Sequence, residues 1–343
     1  MEEKKSKING KPITLAFHLI QFQKQIKEAT GDFTLLLTAI QTALKFISSK
    51  VRKAGIANLY GVSGTSNVSG DTQKKLDIIS NESFLNALKM SNKVCAMVTE
   101  EIEDPIILDD IEEANYVVAF DPLDGSSNID ANVTIGSIFS IWKRVSKVKA
   151  TVEDLLQSGD KIVASGYACY GSSTQLVLSV KGFAVNCYTL DPSLGEFVLT
   201  HPDMKIPSRG AIYSINEGNA SFWDKPITEY VKSKKFPEKG KKVYSLRYIG
   251  SMVGDIHRTL LYGGIFLYPS DSKSPEGKLR LLYEVFPMSF IAENAGGKST
   301  NGKMRILDII PKNIHQRSSI IIGSIEDVEE VESMYKVHEK SIN

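Results

Sequence analysis

The sequence predicts a mixed α/β fold. Apolar runs at 94–98 and 116–120 read as buried strands, and each ends in acids. Stretches with apolar residues at helical spacing lie before them. Strand-like runs at 133–142, 161–169, 175–181 and 183–189 then follow in close succession. Clustered strands of this kind argue for a mixed sheet rather than strict βαβ alternation.

The elements follow in order. Residues 12–29 read as a weakly amphipathic helix. After Gly31-Asp32, Leu36, Ile40, Ala43, Leu44, Ile47 and Val51 share one face of a stronger helix, with Gly55 placed to end it. Lys50, Arg52 and Lys53 decorate its last turn, where cations suit the helix dipole. Residues 58–71, rich in Gly, Ser, Thr and Asn, read as a mobile functional loop. A helix over 73–90 turns Leu76, Ile79, Phe84 and Leu88 inward. The stretch 201–209, with two prolines and several charges, is the best domain boundary. It divides the chain into 1–204 and 205–343. Beyond it, 211–215, 264–268 and 319–323 read as strands and 253–262 as a helix. A further helix over 279–292 stops at Gly296-Gly297, and Pro287 should kink it or mark its start.

The 343 residues suggest about two domains at roughly 150 residues each. An apolar fraction of 42% and a charged fraction of 24% suit a globular protein. A net charge of +1 leaves no electrostatic footprint for nucleic acid or an anionic membrane. No apolar run approaches the roughly 18 residues that span a bilayer. The polar, lysine-rich start resembles neither a signal peptide nor a transit sequence. Cys95, Cys169 and Cys187 sit in apolar stretches and read as buried thiols in a reducing, cytoplasmic setting. The five histidines show no zinc spacing.

The most informative segment is Asp121-Pro-Leu-Asp124-Gly125-Ser126-Ser-Asn128. Hard divalent cations take oxygen ligands and leave positions open for phosphate. A Gly-Ser-Ser turn offers backbone N–H groups that can form an anion nest. An ordinary strand-to-turn junction explains the same residues equally well when they are taken alone. Glu100-Glu101 tilts the balance. Two parallel strands ending in carboxylates would gather these acids at one sheet edge, where α/β proteins place their ligands. Glu284, among apolar neighbours, sits either on a polar face or as a buried ligand that needs a cation. Asp71 and Asp77 bracket Lys74-Lys75 and read equally as a solvated helix start. Arg247-Tyr248, Tyr268 and Lys278 are of the types that give a sugar phosphate its cations and hydroxyls, although each alone is unremarkable and a tyrosine at a strand end is usually packing.

Together these segments resemble class I fructose-1,6-bisphosphatases, in the metal-dependent, lithium-sensitive sugar phosphatase superfamily. The resemblance rests on 55–61 (Gly-Ile-Ala-Asn-Leu-Tyr-Gly), Gly70-Asp71 with 74–77, 98–101 (Val-Thr-Glu-Glu) and 120–130. It continues through 213–218 (Tyr-Ser-Ile-Asn-Glu-Gly), 247–252 (Arg-Tyr-Ile-Gly-Ser-Met), 257–269 and 277–284. It spans about 30 to 335. The 121–128 loop is shared in outline with inositol monophosphatases, whereas the later motifs are specific to fructose bisphosphatases.

The resemblance implies a layered α-β-α-β-α sandwich with two mixed sheets. It implies an N-terminal AMP-type and metal-binding domain and a C-terminal sugar-phosphate domain. Glu100, Asp121, Asp124, Glu284, Asp71 and the Leu123 carbonyl match the family's ligands for two or three Mg²⁺, with Mn²⁺ as an alternative. Glu101 and Asp77, with Asp71 nearby, match the groups that activate water. Gly125 and Ser126 match the 1-phosphate cradle. Asn216, Tyr248, Tyr268, Lys278 and Met252 match contacts to the sugar and 6-phosphate. Arg247 matches an arginine that reaches a neighbouring subunit's site in a homotetramer. Thr30, Gly31, Asp32, Phe33, Thr34, Tyr116 and Lys143 match an inhibitory AMP site. Asn115 and Lys143 stand where mammalian members have lysine and arginine. Asn219 stands where mammalian members have tyrosine and plant-like members asparagine. The cysteine-bearing insertion of light-regulated chloroplast enzymes is absent.

The implied reaction is Mg²⁺-dependent hydrolysis of fructose 1,6-bisphosphate to fructose 6-phosphate, in gluconeogenesis. A sedoheptulose-1,7-bisphosphatase or dual-specificity enzyme is the near alternative. A non-catalytic sugar-phosphate sensor is the distant one, because a binding module does not need Glu101 and Asp77.

Overall fold

A computed structural model describes residues 7–8, 11–57, 59, 61–66, 72–108 and 114–342. Seven helices are described, at Leu15–Lys24 (α1), Asp32–Arg52 (α2), Lys75–Ser91 (α3), Lys225–Lys235 (α4), Met252–Tyr262 (α5), Phe286–Asn294 (α6) and Ile325–Ile342 (α7).

Two mixed sheets organise the chain. The larger has eight strands. From one edge to the other they are Glu196–His201, Asn186–Asp191, Thr174–Val180, Ile162–Tyr170, Ile135–Lys143, Tyr116–Asp124, Val94–Thr99 and Ile106–Ile107. Its one parallel pair among the described strands is Val94–Thr99 with Tyr116–Asp124. The smaller has five strands, in the order Ser245–Leu246, Ile212–Ser214, Ile265–Tyr268, Ile320–Gly323 and Lys298–Thr300.

Three cores define the layers. Strand Tyr116–Asp124 is buried along its whole length, and its side chains alternate between two of them. Tyr116, Val118 and Phe120 join the core under α1, α2 and α3. Val117 and Ala119 join the core shared with α5 and α6. The third core packs the smaller sheet's outer face against α4 and α7 through Ile227, Tyr230, Val328 and Val331. The molecule is therefore the expected α-β-α-β-α sandwich.

Several expectations are corrected. The first helix spans only Leu15–Lys24, because Thr14 caps it by accepting from Phe17 N–H. Gly55 does not cap α2, which loosens into turns from Lys53 onward. Part of the 58–71 stretch lies outside the described residues. Its flank Val62–Ser66 is a strand paired with Thr72–Lys74 and not an open loop. The strand placed at 183–189 begins at Asn186, after a turn in which Gly182 has φ +83°. The single helix expected over 279–292 is divided. Leu279–Arg280 pairs with Arg317–Ser318, Leu281–Val285 forms a π-turn, and α6 starts at Phe286 with Pro287 in its first turn.

Candidate active site

The parallel pair fixes the first acids. Thr99 pairs with Phe120, so Glu100 and Asp121 follow at matching positions on adjacent strands. Neighbouring strands lie about 4.8 Å apart, which brings these carboxylates side by side. The bend after Asp121 is held locally. Asp121 Oδ1 accepts from Leu123 N–H at 2.9 Å, and Ser137 donates to the Pro122 carbonyl at 2.7 Å. Asp124 Oδ2 then accepts from Val253 N–H at 3.1 Å, in the first turn of α5. The π-turn widens the backbone at Glu284, which accepts from Arg280 N–H. Asp121, Asp124 and Glu284 thereby meet, all buried, with ligand oxygens within 4.8 Å of one another.

These carboxyls are electrostatically strained. Burial, then Glu101 and Asp124, push Glu100 up to about 8. Burial pushes Asp124 up to about 6. Asp121 and Glu284 are raised well above the usual carboxylate range by burial and then by Glu100. Arg280, which lines the same cavity, favours the charged forms of Glu100 and Glu284 without balancing the cluster. An all-oxygen, anionic and buried donor set fits a hard divalent cation.

A cavity of about 570 Å³ opens over the cluster. Glu100, Glu101, Asp121, Leu123, Asp124, Gly125, Ser126, Asn216, Tyr248, Met252, Tyr268, Lys278 and Glu284 all line it. Gly125 has φ +77°, and a Cβ there would lie 2.7 Å from Ser251 Oγ. The Ser126–Ala131 turn starts at this glycine, and the first N–H groups of such a turn lack intrahelical acceptors. Asn128 Nδ2 donates to the Gly250 carbonyl at 3.1 Å and joins this turn to the segment bearing Arg247 and Tyr248.

Two expected residues stand apart from the lining, and a third lies outside the described residues. Asp77 lies behind it, buried, with Oδ2 accepting from Lys74 N–H at 2.6 Å. Its Oδ1 has no donor in hydrogen-bond geometry among the described residues, although the nearby Ser126 hydroxyl favours its charged form. Burial dominates and pushes Asp77 up to about 7. Arg247 is exposed, donates from Nη1 to the Leu246 carbonyl at 2.9 Å, and is not among the residues lining this cavity. Asp71 lies outside the described residues.

Sequence reasoning missed Asp255, Arg280 and Arg317, which also line the cavity. Buried Asp255 accepts from Ile249 N–H at 2.9 Å and Gly250 N–H at 3.1 Å, and so shapes the 247–251 segment. The available signal for Arg280 was a cation four residues before Glu284 in an apolar run.

A second cavity, about 490 Å³, is lined by Thr30, Gly31, Asp32, Phe33, Thr34, Asn115, Tyr116 and Lys143. Arg144, not anticipated, lines it too. Asp32 at the start of α2 pairs with Lys93 at 2.7 Å.

Comparison with known proteins supplies a family. Residues 13–202 match a family model described as fructose-1-6-bisphosphatase, N-terminal domain, and residues 206–336 match the corresponding C-terminal domain. The chain is 55% identical over 328 residues to the cytosolic fructose-1,6-bisphosphatase of Oryza sativa subsp. indica, covering 96% of each. It is 54% identical over 329 residues to the cytosolic enzyme of Spinacia oleracea, again covering 96% of each. The crystal structure of Leishmania major fructose-1,6-bisphosphatase in holo form superposes with a TM-score of 0.90 at 46% identity. That match covers 95% of this chain and 99% of that one.

Proposed function

Because the chain belongs to the fructose-1,6-bisphosphatase family, we propose that it hydrolyses fructose 1,6-bisphosphate to fructose 6-phosphate and phosphate, as a step of gluconeogenesis. The observation that carries this reading is one cavity joining a buried carboxylate cluster to a glycine-started turn and to Lys278, Tyr248 and Tyr268.

The family is metal-dependent, and Glu100, Asp121, Asp124 and Glu284 would hold the cations, with Asp71 and the Leu123 carbonyl completing the set. The oxygen donors and the cluster's charge support two or three Mg²⁺, with Mn²⁺ as an alternative. Bound cations supply charge neutralisation at the phosphoryl group, a more acidic water and support for the leaving alkoxide. The chain's own groups do the rest. Gly125 and Ser126 N–H groups hold the 1-phosphate. Glu101 takes the proton of the attacking water, and Asp77 behind it shares that proton. The water oxygen bonds to phosphorus as the bond from phosphorus to the C1 oxygen breaks, and the C1 oxygen takes up a proton from solvent to leave as the hydroxyl of fructose 6-phosphate. Lys278, Tyr248, Tyr268 and Asn216 grip the far end of the sugar, with Met252 against its ring.

The division at 204/205 then separates a metal-binding, AMP-responsive domain from a sugar-phosphate domain. The gathering of 30–34, Tyr116 and Lys143 around one cavity supports AMP as an inhibitor. The exposure of Arg247 supports its reaching a neighbouring site in a homotetramer; a sedimented mass of one chain would remove that role. Relatives named cytosolic support a cytoplasmic location.

The test compares phosphate release from fructose 1,6-bisphosphate and sedoheptulose 1,7-bisphosphate in Mg²⁺, with enzymatic detection of fructose 6-phosphate. Turnover of the six-carbon substrate with stoichiometric fructose 6-phosphate is expected. Turnover of the seven-carbon substrate alone would reassign the enzyme, and turnover of neither would make the protein a sensor.

A further inference from the structure

Resting on the reading of a cation-dependent hydrolase, we propose that His315 is a positioning residue. It clamps the turn bearing Glu100 and Glu101 to the turn bearing Glu284, and so sets the spacing across which these acids share cations.

The imidazole joins segments that are remote in sequence. Its Nε2 lies 3.0 Å from the Glu103 carbonyl oxygen. A carbonyl only accepts, so this nitrogen carries the hydrogen. Its Nδ1 lies 2.8 Å from the Tyr283 hydroxyl, and in the neutral ring it accepts from that O–H. Both nitrogens are thus committed, and the ring cannot turn without losing a bond. Glu103 lies two residues beyond Glu101, and Tyr283 immediately precedes Glu284.

The backbone around His315 supports the same turn. The His315 carbonyl accepts from Arg280 Nη1 at 3.3 Å. The Gln316 carbonyl accepts from Leu281 N–H at 2.8 Å, and Arg317–Ser318 pairs with Leu279–Arg280. Residues 315–318 therefore back the whole π-turn, while the His315 ring reaches across to the end of strand Val94–Thr99. Deprotonating Glu100, Asp121, Asp124 and Glu284 to receive cations creates like charges that push these two turns apart. The clamp opposes that separation before a cation arrives. Groups that orient metal ligands from behind typically change affinity by about 10–100-fold when removed.

Three full-length variants test this. His315→Ala removes both bonds. His315→Gln keeps an amide donor for Glu103 and loses the acceptor for Tyr283. Tyr283→Phe loses that same bond and keeps the ring. EDTA-stripped proteins are titrated with Mn²⁺ by calorimetry without substrate, and with Mg²⁺ while phosphate release is followed. The clamp predicts a Mn²⁺ dissociation constant raised about tenfold in His315→Ala and by less in the other two. It also predicts a matching rise in half-saturating Mg²⁺, turnover largely restored at saturating Mg²⁺, and a double variant, His315→Gln with Tyr283→Phe, no worse than the weaker single. Unchanged Mn²⁺ affinity in His315→Ala overturns the clamp. If that variant does not fold, unchanged affinity in both His315→Gln and Tyr283→Phe overturns it. A wild type that neither binds Mn²⁺ nor releases phosphate overturns the underlying hydrolase reading instead.

Discussion

Glu101 and Asp77 differ in what surrounds them. Glu101 faces the cavity beside Glu100, while Asp77 is sealed behind it with one oxygen held by Lys74 N–H. A base must reach the water, and a group behind it can only share the proton. Glu101→Gln keeps the shape and removes the basicity. We expect it to leave substrate affinity nearly intact and to lower turnover by about 10²–10⁴-fold. Near-normal turnover in a steady-state assay would remove Glu101 from the mechanism. Asn115 makes a comparable residue-level test at the second cavity, where it lines the wall with Tyr116 and Lys143. A lysine there would add a charge-assisted bond worth about 1.5–3 kcal/mol. AMP titration of Asn115→Lys should therefore show inhibition stronger by about one to two decades. Equal inhibition of variant and wild type would rule out this placement of the nucleotide.

At the scale of elements, the site depends on two irregular backbones, the Gly125 turn and the π-turn at Leu281–Val285. Gly125→Ala places a Cβ against Ser251 Oγ at a φ of +77°. Strain of this kind costs about 1–3 kcal/mol. The expected result is a lower melting temperature with a loss of kcat/KM larger than any loss of fold. Unchanged kcat/KM would show that the turn need not keep this shape. The same two backbones explain what was legible in the sequence. The apolar runs 94–98 and 116–120 were legible as strands, because burial on both faces demands continuous hydrophobicity; the observed strands extend to Thr99 and Asp124. The π-turn was not, because apolar residues along 279–292 mimic one helix and only the backbone widening separates Glu284 from that pattern. Helices α4 and α7 went unread although Ile227, Tyr230 and Val231, and Val328, Val331 and Tyr335, keep helical spacing. Dense lysine and glutamate around those stripes disguised them. Asp255 was illegible for another reason. It serves the site through the 249–250 backbone, a contact made by the tertiary fold.

For the whole molecule, the acidic cluster links folding to pH and to cations. Without cations, burial holds Glu100, Asp77 and Asp124 above ordinary carboxyls in the folded chain, pushed up to about 8, 7 and 6. Between the ordinary value of about 4 and those values the folded chain binds more protons than the unfolded chain. The cluster's contribution to stability is therefore lost as pH rises through that window. Cations bind the deprotonated groups, so the gain in melting temperature from Mg²⁺ over EDTA should grow from pH 5 to pH 8.5. A gain independent of pH would mean that these acids are not the ligands. The most direct test of the central claim is phosphate release from fructose 1,6-bisphosphate by EDTA-stripped protein as free Mg²⁺ is restored. No release in EDTA and a saturable rise with Mg²⁺ are expected, together with fructose 6-phosphate in equal amount. Undiminished release in EDTA, or none at any Mg²⁺ concentration, would contradict it.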